Sequence, residues 1–162
     1  MLSFRRGREI RTRIKRIRTD KDDKTKEHDE FREEHAALTA QIIGVFYEVA
    51  NELGQGFVES VYRRSMFIAL GQAGLRVEQD VAVPVSFRNM NVGIFHADLI
   101  VEGKVILELK VAEDVVKAFE FQLLNYLRAT TLEIGLILAF GQRAKLKRIV
   151  MSNSRKHNLN LS

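Results

Sequence analysis

At 162 residues the chain is long enough for one domain with a proper core, and its 46% hydrophobic content is ordinary for a globular protein. The lack of cysteine excludes disulfides and thiolate metal centres and fits a reducing, cytoplasmic setting; no apolar run approaches a membrane span, and the arginine-rich start lacks the apolar segment of a signal peptide. The net charge of +5 is lopsided: residues 1–26 hold 11 of the 26 Lys/Arg against 4 of the 21 Asp/Glu, a local +7, which leaves 15 against 17, a local −2, for residues 27–162. The overall charge therefore says little about what the folded part binds.

In chain order, residues 1–30 read as a basic N-terminal arm. Ile10, Ile14 and Ile17 fall at helical spacing among arginines, a stripe suited to a phosphate backbone or an anionic membrane surface, or simply a solvated terminus. Asp20–Lys26 is almost wholly charged and reads as a linker. The domain proper is expected over 31–152, followed by a loose tail, 153–162. Phe31, Leu38, Ile42, Val45, Phe46, Val49 and Leu53 repeat at threes and fours, which predicts a helix stopped by Gly54 as a left-handed cap. A second helix is predicted over 57–70, with Glu59 and Tyr62 sharing a face. Residues 76–88 alternate as a strand with one face of Val77, Val81, Val83, Val85 and Phe87, and Pro84 marks an edge or a bulge. The run 88–92 then turns into a second strand.

The next stretch, Asp98–Lys110, reads as two apolar strands joined at Glu102-Gly103-Lys104. It carries one Asp on the first arm and Glu108 and Lys110 on one face of the second. Charges on a buried strand are costly unless paired, and clustered carboxylates usually share a divalent cation. Opposed residues of an antiparallel hairpin share a face and keep a constant index sum. Asp98 and Glu108 therefore face the same way only with a three-residue loop, 102–104, or a bulge; the three-residue loop would also set His96 across from Lys110. A helix is predicted over 112–130, with Gln122 and Tyr126 one above the other. A buried strand, 133–140, and a short one, 145–151, close the domain. The order helix, three antiparallel strands, helix, strand makes the chain α/β, a mixed β-sheet with helices on both faces. The helical crossover leaves the fourth strand free to run parallel to a neighbour.

Asp98 followed by Glu108-Leu109-Lys110 resembles the D…(E)-x-K signature of the PD-(D/E)XK nuclease-like superfamily. Gly56-Phe-Val-Glu59-Ser-Val-Tyr62 matches the motif of its GxxExxY branch, and Gln122-Leu-Leu-Asn-Tyr126 is similar to the Q-x-x-x-Y motif of RecB-like nucleases. The three motifs stand in the expected order over residues 36–150. The resemblance implies a restriction-endonuclease-like αβββαβ core and metal-dependent hydrolysis of a phosphodiester, in DNA more readily than RNA. It implies Mg²⁺ or Mn²⁺ held by Asp98, Glu108, Glu59 and the Leu109 carbonyl, with Lys110 and Gln122 completing the catalytic set and Tyr126, Tyr62 and His96 as accessories. Each assignment has a plainer counterpart. Glu59 also suits a dipole-complementing surface residue, Tyr62 a brace between helix and sheet, Gln122 and Tyr126 a core helix, and His96 a structural histidine. Ala50 and Phe119 stand where relatives often carry histidine, and Gln55 where proline is common. The near-neutral domain favours the alternative of a catalytically silent nuclease-fold binding or scaffold module. Such a small domain is also suited to forming a homodimer.

Overall fold

Strands β1 (Val77–Phe87), β2 (Met90–Val101), β3 (Val105–Lys110), β4 (Ile134–Ala139) and β5 (Lys145–Val150) lie side by side in sequence order in a computed structural model that describes residues 32–33 and 35–159. The basic segment 1–26 and residues 160–162 lie outside these described residues. The chain divides into two units, Met1–Ala40 and Gln41–Ser162. The described residues of the first are helical. The second holds helix α1 (41–53), helix α2 (Glu59–Gln72), the sheet, helix α3 (Lys117–Ala129) and helix α4 (Asn153–Leu159).

β3 and β4 are parallel and every other neighbouring pair is antiparallel. That follows from the connections. Only β3 and β4 are joined by a helix, and a helical crossover returns the chain in the same direction. β4 is buried at every position, as its run of Ile, Leu and Ala requires of a strand covered on both faces. On one face α3 approaches closely at Gly135, where an added Cβ would come within 2.6 Å of Leu123. Leu123, Tyr126 and Leu127 of α3 share a cluster there with Val83, Ala97, Ile100, Ile106 and Ile137. Residues of β4 even in number point the other way. There Tyr62 of α2 stacks on Phe140, whose ring also meets Phe46 of α1 edge-on.

Local signals are met where they were strong. Gly54 takes φ +68° after α1 and donates its N–H to Ala50, as a left-handed cap should. The loop between β2 and β3 has three residues, 102–104, with Glu102 and Gly103 both at positive φ. The β1–β2 turn, expected over 88–92, is shorter: it is the two-residue pair Arg88-Asn89, both at positive φ, the twist-compatible form for a hairpin, and β2 starts at Met90. β1 is the sheet edge, where a strand tolerates a residue without an N–H, and the register shift falls just beyond Pro84 at Val85/Ser86.

Three expectations need correction. α3 begins at Lys117 rather than 112, because residues 111–116 are tied to the β4–β5 turn: Glu113 accepts the Gln142 N–H and Asp114 pairs with Lys145 at 2.6 Å. α2 begins at Glu59 rather than 57. Residues 153–159, expected as loose, form α4. There the Lys156 ammonium donates to the carbonyls of Thr130 and Leu132, and the Asn153 amide to that of Thr131.

Candidate active site

The β2–β3 ladder is short. It runs from Val101↔Val105 through Ile100↔Ile106 to Leu99↔Leu107, whereas β1 and β2 stay paired out to Phe87↔Met90. β2 thus leaves β3 after Leu99 and continues with β1 as a two-stranded arm. At the parting the strand also changes face: Ala97 and Ile100, an odd number of positions apart, lie in one cluster, which regular alternation forbids. Opposite, Asp80 of β1 takes φ +54° and interrupts the β1–β2 pairing between Gln79↔Leu99 and Val81↔Ala97. Asp98 sits in this switch.

Main-chain groups exposed by a fork need new partners. The Asp98 carboxylate supplies one, Oδ2 accepting the Leu109 N–H at 2.8 Å. The Tyr126 hydroxyl supplies another by donating to the His96 carbonyl at 3.1 Å. Consequently Asp98 is not the ladder partner of Glu108, and His96 does not lie across from Lys110. His96 belongs to the arm, paired with Ala82, and its imidazole faces Asp80 at 3.1 Å.

Glu108 alternates with Ile106 and so points to the α3 side. Its Oε1 accepts from Lys110 Nζ at 2.8 Å and from Gln122 Nε2 at 2.7 Å, and the same amide reaches the Tyr126 hydroxyl at 3.1 Å. Lys110 Nζ also lies 5.3 Å over the Phe119 ring. The structure thus brings Asp98, Glu108, Leu109, Lys110, Gln122 and Tyr126 together. Glu59, half-buried at the first turn of α2, adds a negative charge felt by both Glu108 and Lys110. Tyr62 is a core brace: it is fully buried and donates to the Gly54 carbonyl at 2.7 Å.

Sequence reasoning missed Arg63, whose Nη1 lies 3.1 Å from Asp98 Oδ1. It follows Tyr62 and stands one turn after Glu59, so a helical wheel places both on one α2 face. That spacing was legible, but an arginine inside a helix is ordinarily a solvated residue.

Burial is the largest influence on Glu108, which is 3% exposed. It outweighs the Lys110 hydrogen bond and raises the carboxyl to about 7, with the Asp98 charge adding to the rise. For Lys110 burial disfavours the ammonium, yet the hydrogen bond to Glu108 and that acid's charge prevail and hold it above the ordinary lysine value. The two oxygens of Glu108 are the more deeply desolvated groups, so its carboxyl stays raised, while Lys110 remains charged. Burial, with the charges of Glu108 and Asp98, also raises the Tyr126 phenol against the pull of Gln122, so it stays a hydrogen-bond donor.

Among the described residues two buried side-chain oxygens lack a hydrogen-bond partner, Thr39 Oγ1 and, in this network, Glu108 Oε2. A desolvated carboxylate oxygen without a donor, beside a second acid, fits a hard divalent cation. Among the described residues no three His, Cys, Asp or Glu side chains gather as a metal-binding cluster, so the fit rests on Asp98 and Glu108. A cavity of about 220 Å³ lies elsewhere, lined by Ala50, Gly54, Gln55, Phe140 and Gln142 among others.

The sequence model of the PD-(D/E)XK nuclease superfamily matches residues 36–149. No curated protein matches the chain. Among solved structures, that of SSO0001 superposes with a TM-score of 0.46 at 17% identity, covering 63% of this chain and 55% of that one. This chain thus spans little more than half of that protein's length, and nothing about chemistry follows from the likeness. Among the described residues no helix is long and apolar enough to cross a membrane.

Proposed function

The chain belongs to the PD-(D/E)XK nuclease superfamily, and from that premise we propose that it is a cytoplasmic, metal-dependent phosphodiester hydrolase acting on nucleic acid, DNA more readily than RNA. The Gly56, Glu59 and Tyr62 spacing supports its GxxExxY branch. The observation that carries the proposal is the partnerless, buried Oε2 of Glu108 within an acid, lysine and glutamine network.

Asp98 and Glu108 would hold Mg²⁺ or Mn²⁺, with Glu59 and the Leu109 carbonyl as further oxygen donors. The cation when bound supplies Lewis acidity toward a phosphoryl oxygen and a more acidic water. Lys110, held charged, is set to stabilise negative charge developing at phosphorus or to position a water. Gln122 fixes the Glu108 rotamer by its bond to Oε1. Tyr126 fixes Gln122 and ties α3 to the fork.

Thermal melting with and without Mn²⁺ tests the reading, since a ligand that binds only the native state must stabilise it, by about 2.7 kcal/mol at a hundredfold excess over Kd. Asp98→Asn keeps an acceptor for the Leu109 N–H and Glu108→Gln keeps one for Lys110, so both should fold and both should lose the shift. Cleavage of linear and single-stranded DNA that Lys110→Ala abolishes would then separate hydrolysis from binding. A second reading, a silent binding or scaffold module, draws on the near-neutral charge of residues 27–162. A wild-type protein whose melting ignores millimolar Mn²⁺ would select it.

A further inference from the structure

Asp98 and Glu108 present four carboxylate oxygens, and three are engaged. Asp98 Oδ2 is fixed by the Leu109 N–H, Glu108 Oε1 by Lys110 and Gln122, and Asp98 Oδ1 by Arg63. Only Glu108 Oε2 is open. A cation that Asp98 and Glu108 would hold meets one unpartnered oxygen on Glu108 and a guanidinium on Asp98 Oδ1. The holders differ in how firmly they are seated. Lys110 is 16% exposed and lies against the Phe119 ring, whereas the Arg63 side chain is 33% exposed over an Asp98 only 10% exposed. As it leaves, an arginine a third exposed gains water contact that the more enclosed Lys110 does not, so of the two cations it is the more readily displaced.

We propose that Arg63 is the resident counter-ion of Asp98, displaced when a divalent cation enters, and that this competition sets the metal affinity of the site. The proposal rests on the reading of Asp98 and Glu108 as cation ligands. Its geometry comes from α2. Glu59 and Arg63 are one turn apart on that helix, so the element that brings an acid to the cation also brings the cation's rival. Once Arg63 swings out, Asp98 is left without that positive charge, which favours the divalent ion over the guanidinium. Arg63 is on this account a positioning residue that keeps Asp98 beside Glu108 tolerable before a cation binds.

The direction of the effect separates competition from a merely structural ion pair. Isothermal titration of the full-length protein with Mn²⁺ should show Arg63→Gln binding about fivefold more tightly than wild type, the scale expected for a partly exposed ion pair. The metal-free variant should melt lower, so its Mn²⁺-induced shift widens. Arg64→Gln removes the same charge from the next residue, which faces the Phe67 ring, and should leave Kd within about twofold. Should Arg63→Gln fail to fold, Arg63→Lys carries the test: it replaces the guanidinium with a weaker single-point hold and should also lower Kd. An unchanged or higher Kd for the Arg63 variants overturns the proposal, as does an Arg64→Gln gain of equal size. Those outcomes leave the metal site itself standing if wild type binds Mn²⁺ through Asp98. Binding in neither wild type nor Arg63→Gln overturns both readings.

Discussion

The two ends of the β2–β3 hairpin are built from adjacent residues and behave in opposite ways. At the closed end Leu99, Ile100 and Val101 pair with Leu107, Ile106 and Val105, all buried, and main-chain hydrogen bonds do the joining. At the open end the strands part, and side chains take over: Asp98 accepts the Leu109 N–H and Tyr126 donates to the His96 carbonyl. An apolar ladder excludes water but has no group to offer a ligand. Parting the strands creates unsatisfied main-chain groups, and the polar side chains that satisfy them are the ones left facing the opening. Asp98 is therefore a structural acceptor and a candidate ligand at once, one oxygen for each task.

The largest effect should come from the closed end. Leu107→Ala removes a fully buried side chain from the ladder's apolar face and should cost about 3–4 kcal/mol in denaturant unfolding. It should leave Mn²⁺ affinity near wild type, and a large affinity loss would show that the two ends are not separable. The open end should announce itself through pH. The folded Glu108 value of about 7 lies above its ordinary 4.5, so this carboxyl's contribution is fully present below pH 4.5 and is lost as pH rises through 7. Stability should fall by about 3 kcal/mol across that window and then flatten. Glu108→Gln should erase that slope. A slope that survives the substitution would assign it to another group.

Much of this was readable because it is local. The three-residue loop followed from an index-sum argument that needs only the alternation of Asp98 through Glu108, and the parallel β4 followed from having a helix before it. Gly54 ended α1 because its conformation is decided within one turn. What was not readable depends on partners distant in sequence. The index sum assumes unbroken alternation, and β2 switches face at the very residue of interest, a change enforced by Asp80 at positive φ and by α3 bonding the parted strand. Thus the loop was placed correctly while the expected opposition of His96 to Lys110 was not. Arg63 escaped for the same reason, since only the tertiary approach of α2 gives its half-buried position a meaning. α4 carries little apolar periodicity, and its described tertiary ties are polar: Asn153 and Lys156 bond carbonyls of the turn before β4, and the Asn153 main-chain N–H donates to the Glu133 carboxylate.

Between the two ends in magnitude stands Tyr126→Phe. It keeps the ring that packs edge-on against Phe95 but deletes the hydroxyl, leaving the His96 carbonyl without that donor and Gln122 with one acceptor fewer. A cost of about 1–2 kcal/mol is expected by denaturant unfolding. A neutral result would mean that water satisfies the fork as well as the tyrosine does, and the tie between α3 and the open end would lose its energetic basis.

The smallest effect belongs to the arm that continues past the fork. Ile94 lies opposite Pro84 and is 57% exposed, in company with Phe87, Met90 and Val92. Most of its apolar surface is already in water, so Ile94→Ser forfeits little transfer free energy and should change stability by less than about 0.5 kcal/mol. The substitution is thus the counterpart of Leu107→Ala on the same hairpin system: one apolar residue inside the ladder, one beyond the point where it opens. If Ile94→Ser instead costs more than about 1 kcal/mol, surface counted as exposed is covered in solution. Running the measurement at two protein concentrations then identifies the cover. A cost that grows with concentration requires a second copy on the arm, and a constant cost requires the arm to fold against its own chain.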